Sequence, residues 1–198
     1  AAAAGAFEPE VAALALQTAA DLMQRMAQAR RPMILVGPAC LTRAGRQALA
    51  ALEAASGIPV VGMESPRGIA DPCLGAFAQV LAKADRLLLV GKRLDFTLAF
   101  GKAPFPVAAE VHQVDADAAE IDRTRRAIGE RLGITAQADA LAAIDALTLA
   151  ARKPTSREWQ DEVRADVAFR PAAWDTAEAA QPGRLHPRRP LARRRPAR

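Results

Sequence analysis

The chain has 198 residues, 51% of them hydrophobic, with 27 Lys and Arg against 22 Asp and Glu for a formal charge of +5. That is enough chain for one sizeable domain, its apolar part is mostly Ala, Leu and Val, and no window holds the roughly 18 apolar residues that span a bilayer. Residues 182–198 carry seven Arg and no acid, so the remainder sums to −2 and offers no basic face for nucleic acid.

The opening AAAAGAFEPE has no Met, no basic region and no sustained apolar core. It is not read as a signal peptide; the expectation is a cytoplasmic fragment or processed chain. Residues 9–29 read as an amphipathic helix, with Pro9 in the tolerant first turn and Val11, Leu14, Ala15, Thr18, Leu22 and Met26 on one face. Residues 33–37, MILVG, form a short apolar run closed by Gly37, the pattern of a strand buried on both faces. The spacing then predicts a helix over 42–56, stopped by Gly57 and Pro59. A strand at 58–62, a Pro- and Gly-dense ordered loop at 63–75 and a short helix at 76–84 follow.

The stretch RLLLVGKRLDFTLAFG, residues 86–101, supplies the central strand. Its carboxyl end carries Gly91, Lys92, Arg93 and Asp95, at the edge where an open α/β sheet presents ligand-facing loops. Gly91 permits close backbone approach, Arg93 can pair with phosphate bidentately, and Asp95 can orient Arg93 or accept from a sugar hydroxyl. Residues 110–115 (EVHQVD) read as the next strand, ending in Asp115 and Ala116, followed by a turn of helix through Ile121. A weaker strand at 131–135, a helix at 138–150 and a last helix opened by a capping box at Thr155–Glu158 complete the order. His112 reads as a structural histidine inside its strand. Cys40 and Cys73 lack metal spacing and read as reduced thiols; no metal site is evident.

Repeated strand–helix units with glycine at strand ends predict an α/β fold: a doubly wound, mostly parallel, Rossmann-like sheet of five to six strands with helices on both faces. The expected divisions are a leading helix and linker from a preceding domain at 1–30, a central domain at 31–150, a trailing helix and linker at 151–181, and a disordered Arg- and Pro-rich tail at 182–198. No GxGxxG follows a strand and no P-loop is present.

Taken together, RPMILVGPA, GIPVV, ESPRGIADPCLG, ADRLLLVGKRLDFTLAFG and VHQVDADAAEI resemble, in order and spacing from about residue 31 to 147, the central domain of thiamine-diphosphate-dependent enzymes. The likeness is to acetolactate synthase-like proteins, with oxalyl-CoA and 2-hydroxyacyl-CoA relatives behind. The resemblance implies a carboligase or decarboxylase of three α/β domains, a homo-oligomer, in which thiamine diphosphate and magnesium are held by the other two domains. This chain has no GDG motif, so by itself it is expected to be catalytically inactive. The resemblance further implies either an FAD or ADP site or an unoccupied scaffold. The matching positions are Gly37, Gly91, Arg93, Asp95, Asp115 and Ala116. Two departures bear on FAD: Thr97 stands where a second Arg is usual, and Gly37-Pro38-Ala39 replaces a triple glycine.

Two other readings follow from the residues: a free-standing nucleotide-binding module with a polyanion-binding tail, and an Arg-tailed nucleic-acid binder. Against both, Leu185-His186-Pro187 resembles the opening of the family's third domain, after which the chain turns to Arg, Pro and Ala alone. Residue types of that kind arise when GC-rich codons are read in a shifted frame, so the tail is expected to be a frameshift product.

Overall fold

The computed structural model describes residues 12–152, 157–172 and 174. Five short strands form one wholly parallel sheet: β1 (Pro32–Val36), β2 (Val60–Gly62), β3 (Arg86–Val90), β4 (Glu110–Asp115) and β5 (Leu132–Gln137). Their spatial order is β2-β1-β3-β4-β5. Among the described residues six helices flank it: α1 (Leu16–Gln28), α2 (Arg43–Ser56), α3 (Phe77–Leu81), α4 (Ala118–Ile128), α5 (Ala140–Leu149) and α6 (Arg157–Ala168).

The strands are apolar on both sides because both faces are covered. Ile34, Val36, Leu88, Val90 and Val114 point to one layer, filled by Leu22, Met23 and Met26 of α1, Leu49 and Leu52 of α2, and Ile144 and Leu147 of α5. Met33, Leu35, Leu87, Leu89 and Val111 point to the other, filled by Phe77 and Leu81 of α3, Ile128 of α4, and Trp159 and Val163 of α6. Each such fully buried side chain contributes about 1.5–3 kcal/mol relative to exposure. Helix boundaries follow local chemistry. Thr42 caps α2 through its hydroxyl, which accepts from Gly45 N at 3.1 Å, and Gly57 ends it in the left-handed region at φ 64°. The Asp85 carboxylate accepts from the Arg30 and Arg31 amides, both at 2.9 Å, fixing the turn from α1 into β1.

Some expectations need correction. Residues 12–15 are not helical, and α1 begins at Leu16; Pro9 and Val11 lie outside the described residues. The turn of helix through Ile121 is the start of a three-turn α4 that runs to Ile128. Only Glu120, Ile121, Thr124 and Ile128 of it are buried, so its apolar stripe is too thin to announce its length. Thr155 and the tail at 182–198 lie outside the described residues.

Between β4 and β5 the register slips: Val111 pairs with Leu132 and Gln113 with Thr135, so Gly133 and Ile134 together stand opposite His112. The bulge leaves the Ile134 amide without a ladder acceptor, and His112 Nδ1 accepts it at 2.9 Å. Gly133 is required there, since a Cβ would stand 2.7 Å from both His112 Cε1 and Glu110 Oε1. An acceptor at Nδ1 requires the neutral ring with its proton on Nε2. Burial pushes the His112 pKa down to about 4 from 6.5, against the pull of Glu110, with Arg86 and Arg25 adding to the depression. The unfolded chain therefore takes the proton first. Stability from this group is complete above pH 6.5 and is lost as pH falls towards 4, by on the order of 3 kcal/mol. Urea midpoints measured from pH 7.5 to 4 should fall more steeply for the parent chain than for His112→Gln, which keeps an acceptor but cannot titrate. Parallel curves would refute this account.

Candidate functional site

In a parallel sheet all carboxyl ends lie on one edge, and a crevice opens where the strand order reverses. Here the reversal falls between β1 and β3, placing the turn after Val36 beside the turn after Val90. The crevice encloses about 360 Å³, at the small end of the range for ligand pockets. Its walls are Pro38 from the β1 turn, residues 63–66 from the β2 loop, and Gly91, Lys92, Arg93, Asp95, Phe96 and Thr97 from the β3 loop.

The floor is sealed by backbone. A Cβ on Gly37 would stand 1.9 Å from the Gly91 carbonyl oxygen, and Gly91 itself holds φ 55°. Both amides are committed: Gly37 N donates to Val90 O at 3.2 Å and Gly91 N to Val114 O at 2.9 Å. Pro38 has no amide to give. Gly37 thus extends the β1–β3 ladder by one step and Gly91 the β3–β4 ladder, and their close approach brings the ends of β1 and β3 together.

Asp95 does not hold Arg93, one of the two roles open to it from the sequence. Its Oδ1 accepts from Thr97 N at 3.0 Å and from the Thr97 hydroxyl, and it lies 3.5 Å from Lys92 Nζ. It therefore shapes the loop after β3 and does not orient Arg93. Burial alone pushes its pKa up, but the Thr97 bonds and the Lys92 charge outweigh it and hold the carboxyl below its usual range. Lys92, unassigned in the sequence reading, is 5% exposed and donates to Thr97 Oγ1 at 2.5 Å and Arg93 O at 3.1 Å. Burial is the main cause of its lowered pKa, partly opposed by Asp95. The lone signal for it was a lysine directly following a strand-ending glycine.

Arg93 has a side chain 59% exposed at the rim, with Nε 3.6 Å from Glu120 Oε1 of α4. Glu120 is buried and is also gripped by Arg123 Nη1, at 2.7 and 2.8 Å from its two oxygens. Asp115 lies in the next turn, its Oδ1 accepting from Asp117 N at 3.0 Å and its pKa raised, chiefly by burial. Ala116 is exposed and gives its carbonyl to Gln137 Nε2 at 3.1 Å. Thus Gly91, Arg93 and Asp95 share the crevice, Gly37 supports its floor, and Asp115 and Ala116 stand one strand away.

A larger groove of about 560 Å³ runs beside β2 between α2 and α6. Its charges are already engaged, Arg164 with Glu53 and Arg46 with Glu64, so no polar groups converge on a ligand. Burial, then Asp139, pushes the Cys40 thiol up to about 11, which makes it an inert thiol. Among the described residues no cluster of His, Cys, Asp and Glu is arranged to hold a metal ion, and no helix is long and apolar enough to cross a membrane.

Comparison with known proteins matches residues 19–147 to the family described as thiamine pyrophosphate enzyme, central domain. Oxalyl-CoA decarboxylase from Escherichia coli K12 is 36% identical over 106 residues, which are 50% of this chain and 19% of that enzyme. Benzoylformate decarboxylase from Polynucleobacter necessarius has a similar fold, with TM-score 0.56 at 11% identity over 78% of this chain. So does the thiamine diphosphate-dependent 4-hydroxybenzoylformate decarboxylase of Rhodococcus jostii RHA1, with TM-score 0.55 at 19% identity over the same share. The chain spans 30% of each of those two proteins.

Proposed function

Since the chain belongs to the thiamine pyrophosphate enzyme family as its central domain, we propose that it is the non-catalytic domain of an acetolactate synthase-like carboligase or decarboxylase, and that its crevice holds an adenine nucleotide. In that reading thiamine diphosphate and magnesium belong to other domains of the same enzyme, which works as a cytoplasmic homo-oligomer. Thiamine diphosphate, when bound there, supplies the carbanion chemistry. The residues of this chain hold a scaffold and a ligand, and move no proton in that reaction.

The observation that carries the nucleotide reading is the crevice at the strand-order reversal, with Arg93 on its rim. ADP, alone or as the adenylate half of FAD, brings a phosphate that Arg93 can bind bidentately. The fit is partial: the glycine amides that cradle phosphate in a dinucleotide fold are consumed here by the ladder. That same fact favours a second reading, an unoccupied scaffold.

Calorimetric titration of the chain with ADP separates the two. The expected result is measurable binding that weakens about tenfold in Arg93→Ala, the value of one charge-assisted contact. An affinity for ADP unchanged by Arg93→Ala overturns the site assignment, and no affinity at all selects the scaffold.

A further inference from the structure

We propose that the groove beside β2 is a docking slot for one extended peptide segment of another protein chain, apolar at alternate positions and carrying a carboxylate, which adds to the free edge of the sheet as a further strand.

β2 is the outermost strand on its side of the sheet. Its bonds to β1 use alternate residues. Ile34 N donates to Pro59 O at 2.9 Å and Met63 N donates to Val36 O at 3.0 Å, so Val61, midway between them, also turns its backbone to β1. The amides and carbonyls of Val60 and Gly62 therefore point away from the sheet, and among the described residues they have no partner. Both residues lie on the floor of the groove of about 560 Å³. The charged side chains there are spent on one another, Arg164 on Glu53 and Arg46 on Glu64; the floor backbone is not. An open strand edge at the bottom of an apolar groove suits strand addition, in which main-chain bonds give affinity and the walls take alternate side chains. The walls here are Leu49 and Ala50 of α2, Leu74, and Val163 and Val167 of α6.

Shape and charge select the occupant. Arg170 lines the same groove, and its guanidinium donates to Val167 O, Phe169 O and Cys73 O at 2.9, 2.6 and 2.7 Å. Among the described residues it meets no carboxylate, so an arriving Asp or Glu supplies the missing partner. A second copy does not fit, because β2 lies recessed between α2 and α6 and two such edges would be held apart by their own helices. Residues 182–198 of this chain fit no better: four Pro there cannot donate to the edge, and seven Arg would face Arg170.

The test is fluorescence anisotropy on the full chain with a labelled, amidated peptide of alternating Val and Thr that ends in Asp. Measurable binding is expected, weakened about tenfold when Asn replaces the peptide's Asp or when Arg170→Ala removes the guanidinium. Arg170→Glu should reverse the preference, taking a Lys-ended peptide over the Asp-ended one, which a mere loosening of α6 would not do. Methylating one alternate set of peptide amides should abolish binding, and methylating the other set should leave it. Hydrogen exchange should find the Val60 and Gly62 amides fast in the free chain and slowed by the peptide. No binding, or equal binding with either set methylated, overturns the proposal. So do Val60 and Gly62 amides already protected in the free chain, which put another occupant on the edge: a second copy if sedimentation finds a dimer, a segment of this chain if it finds a monomer.

Discussion

Gly37→Ala is expected to destabilise the domain by about 4 kcal/mol or more, a size exceptional for a single substitution. The added methyl would stand 1.9 Å from the Gly91 carbonyl oxygen and 2.8 Å from its carbon. The atoms in its way are backbone, so no rotamer change relieves the clash. Gly91 cannot retreat, since it sits at φ 55° with Ala140 Cβ 2.7 Å from where its own Cβ would be, and its amide is tied to Val114 O. Relief requires parting β1 from β3 at the middle of the sheet, which exposes both core layers together. Gly129→Ala is the comparison: φ 57° with ψ −128° lies outside the left-handed helical well, but nothing lies within 4 Å of the new methyl, so only backbone strain of about 1–3 kcal/mol applies. Urea unfolding followed by circular dichroism should rank the two variants in that order. Equal midpoints for Gly37→Ala and the parent would refute the close approach of the two turns.

Trp159→Ala should cost about 3–5 kcal/mol, as for other large aromatic truncations in a core. Trp159 is 4% exposed, packs in the layer with Met33 and Leu35, and donates its indole Nε1 to Pro32 O at 2.7 Å. Arg31 lies over its ring, with Cζ 5.9 Å from the centroid. The remaining ties of α6 are lighter. They include a Lys83–Glu162 ion pair at 2.6 Å, half exposed, and a bond from Ala76 N to Asp166 O at 2.7 Å. The ring is therefore the main anchor of the helix. Limited proteolysis should cut Trp159→Ala within residues 157–170 before the rest of the domain is attacked. Trp159→Phe keeps most of the volume and loses the indole bond, which predicts a loss of about 1–2 kcal/mol. An alanine variant as protease-resistant as the parent would show that α6 is held by something else.

Much of the architecture was legible without coordinates, because burial on both faces leaves a strong mark. MILV and RLLLV admit no polar alternation, and a short apolar run closed by glycine has few alternatives to a central parallel strand. The Gly57 stop and the β4 bounds were readable for a similar reason, being set by residues within one turn of the chain. β5 and α4 were read weakly or cut short. The exposures of β5 are mostly intermediate and α4 buries only four side chains, so neither carries enough apolar signal.

The site divides along the same line. The edge of the sheet on which it lies could be argued from the sequence, since parallel strands present their carboxyl-end turns on one side. That the turns after Val36 and Val90 are neighbours follows from the strand order, which only the structure shows. The chemistry of the site could not be argued from the sequence either. That Arg93 serves Glu120, that both glycine amides are spent, and that His112 closes a bulge at Ile134 all depend on which groups the packing turns towards one another. Those pairs are joined through the ladder or across loops, 22 residues apart for His112 and Ile134 and a whole strand apart for Arg93 and Glu120. Local propensity records how each residue bends its own backbone; it carries no information about which donor a distant acceptor will meet. Apolar burial, being non-directional, is thus written into the linear pattern, whereas hydrogen-bond partnership, being directional, is decided only when the chain has closed.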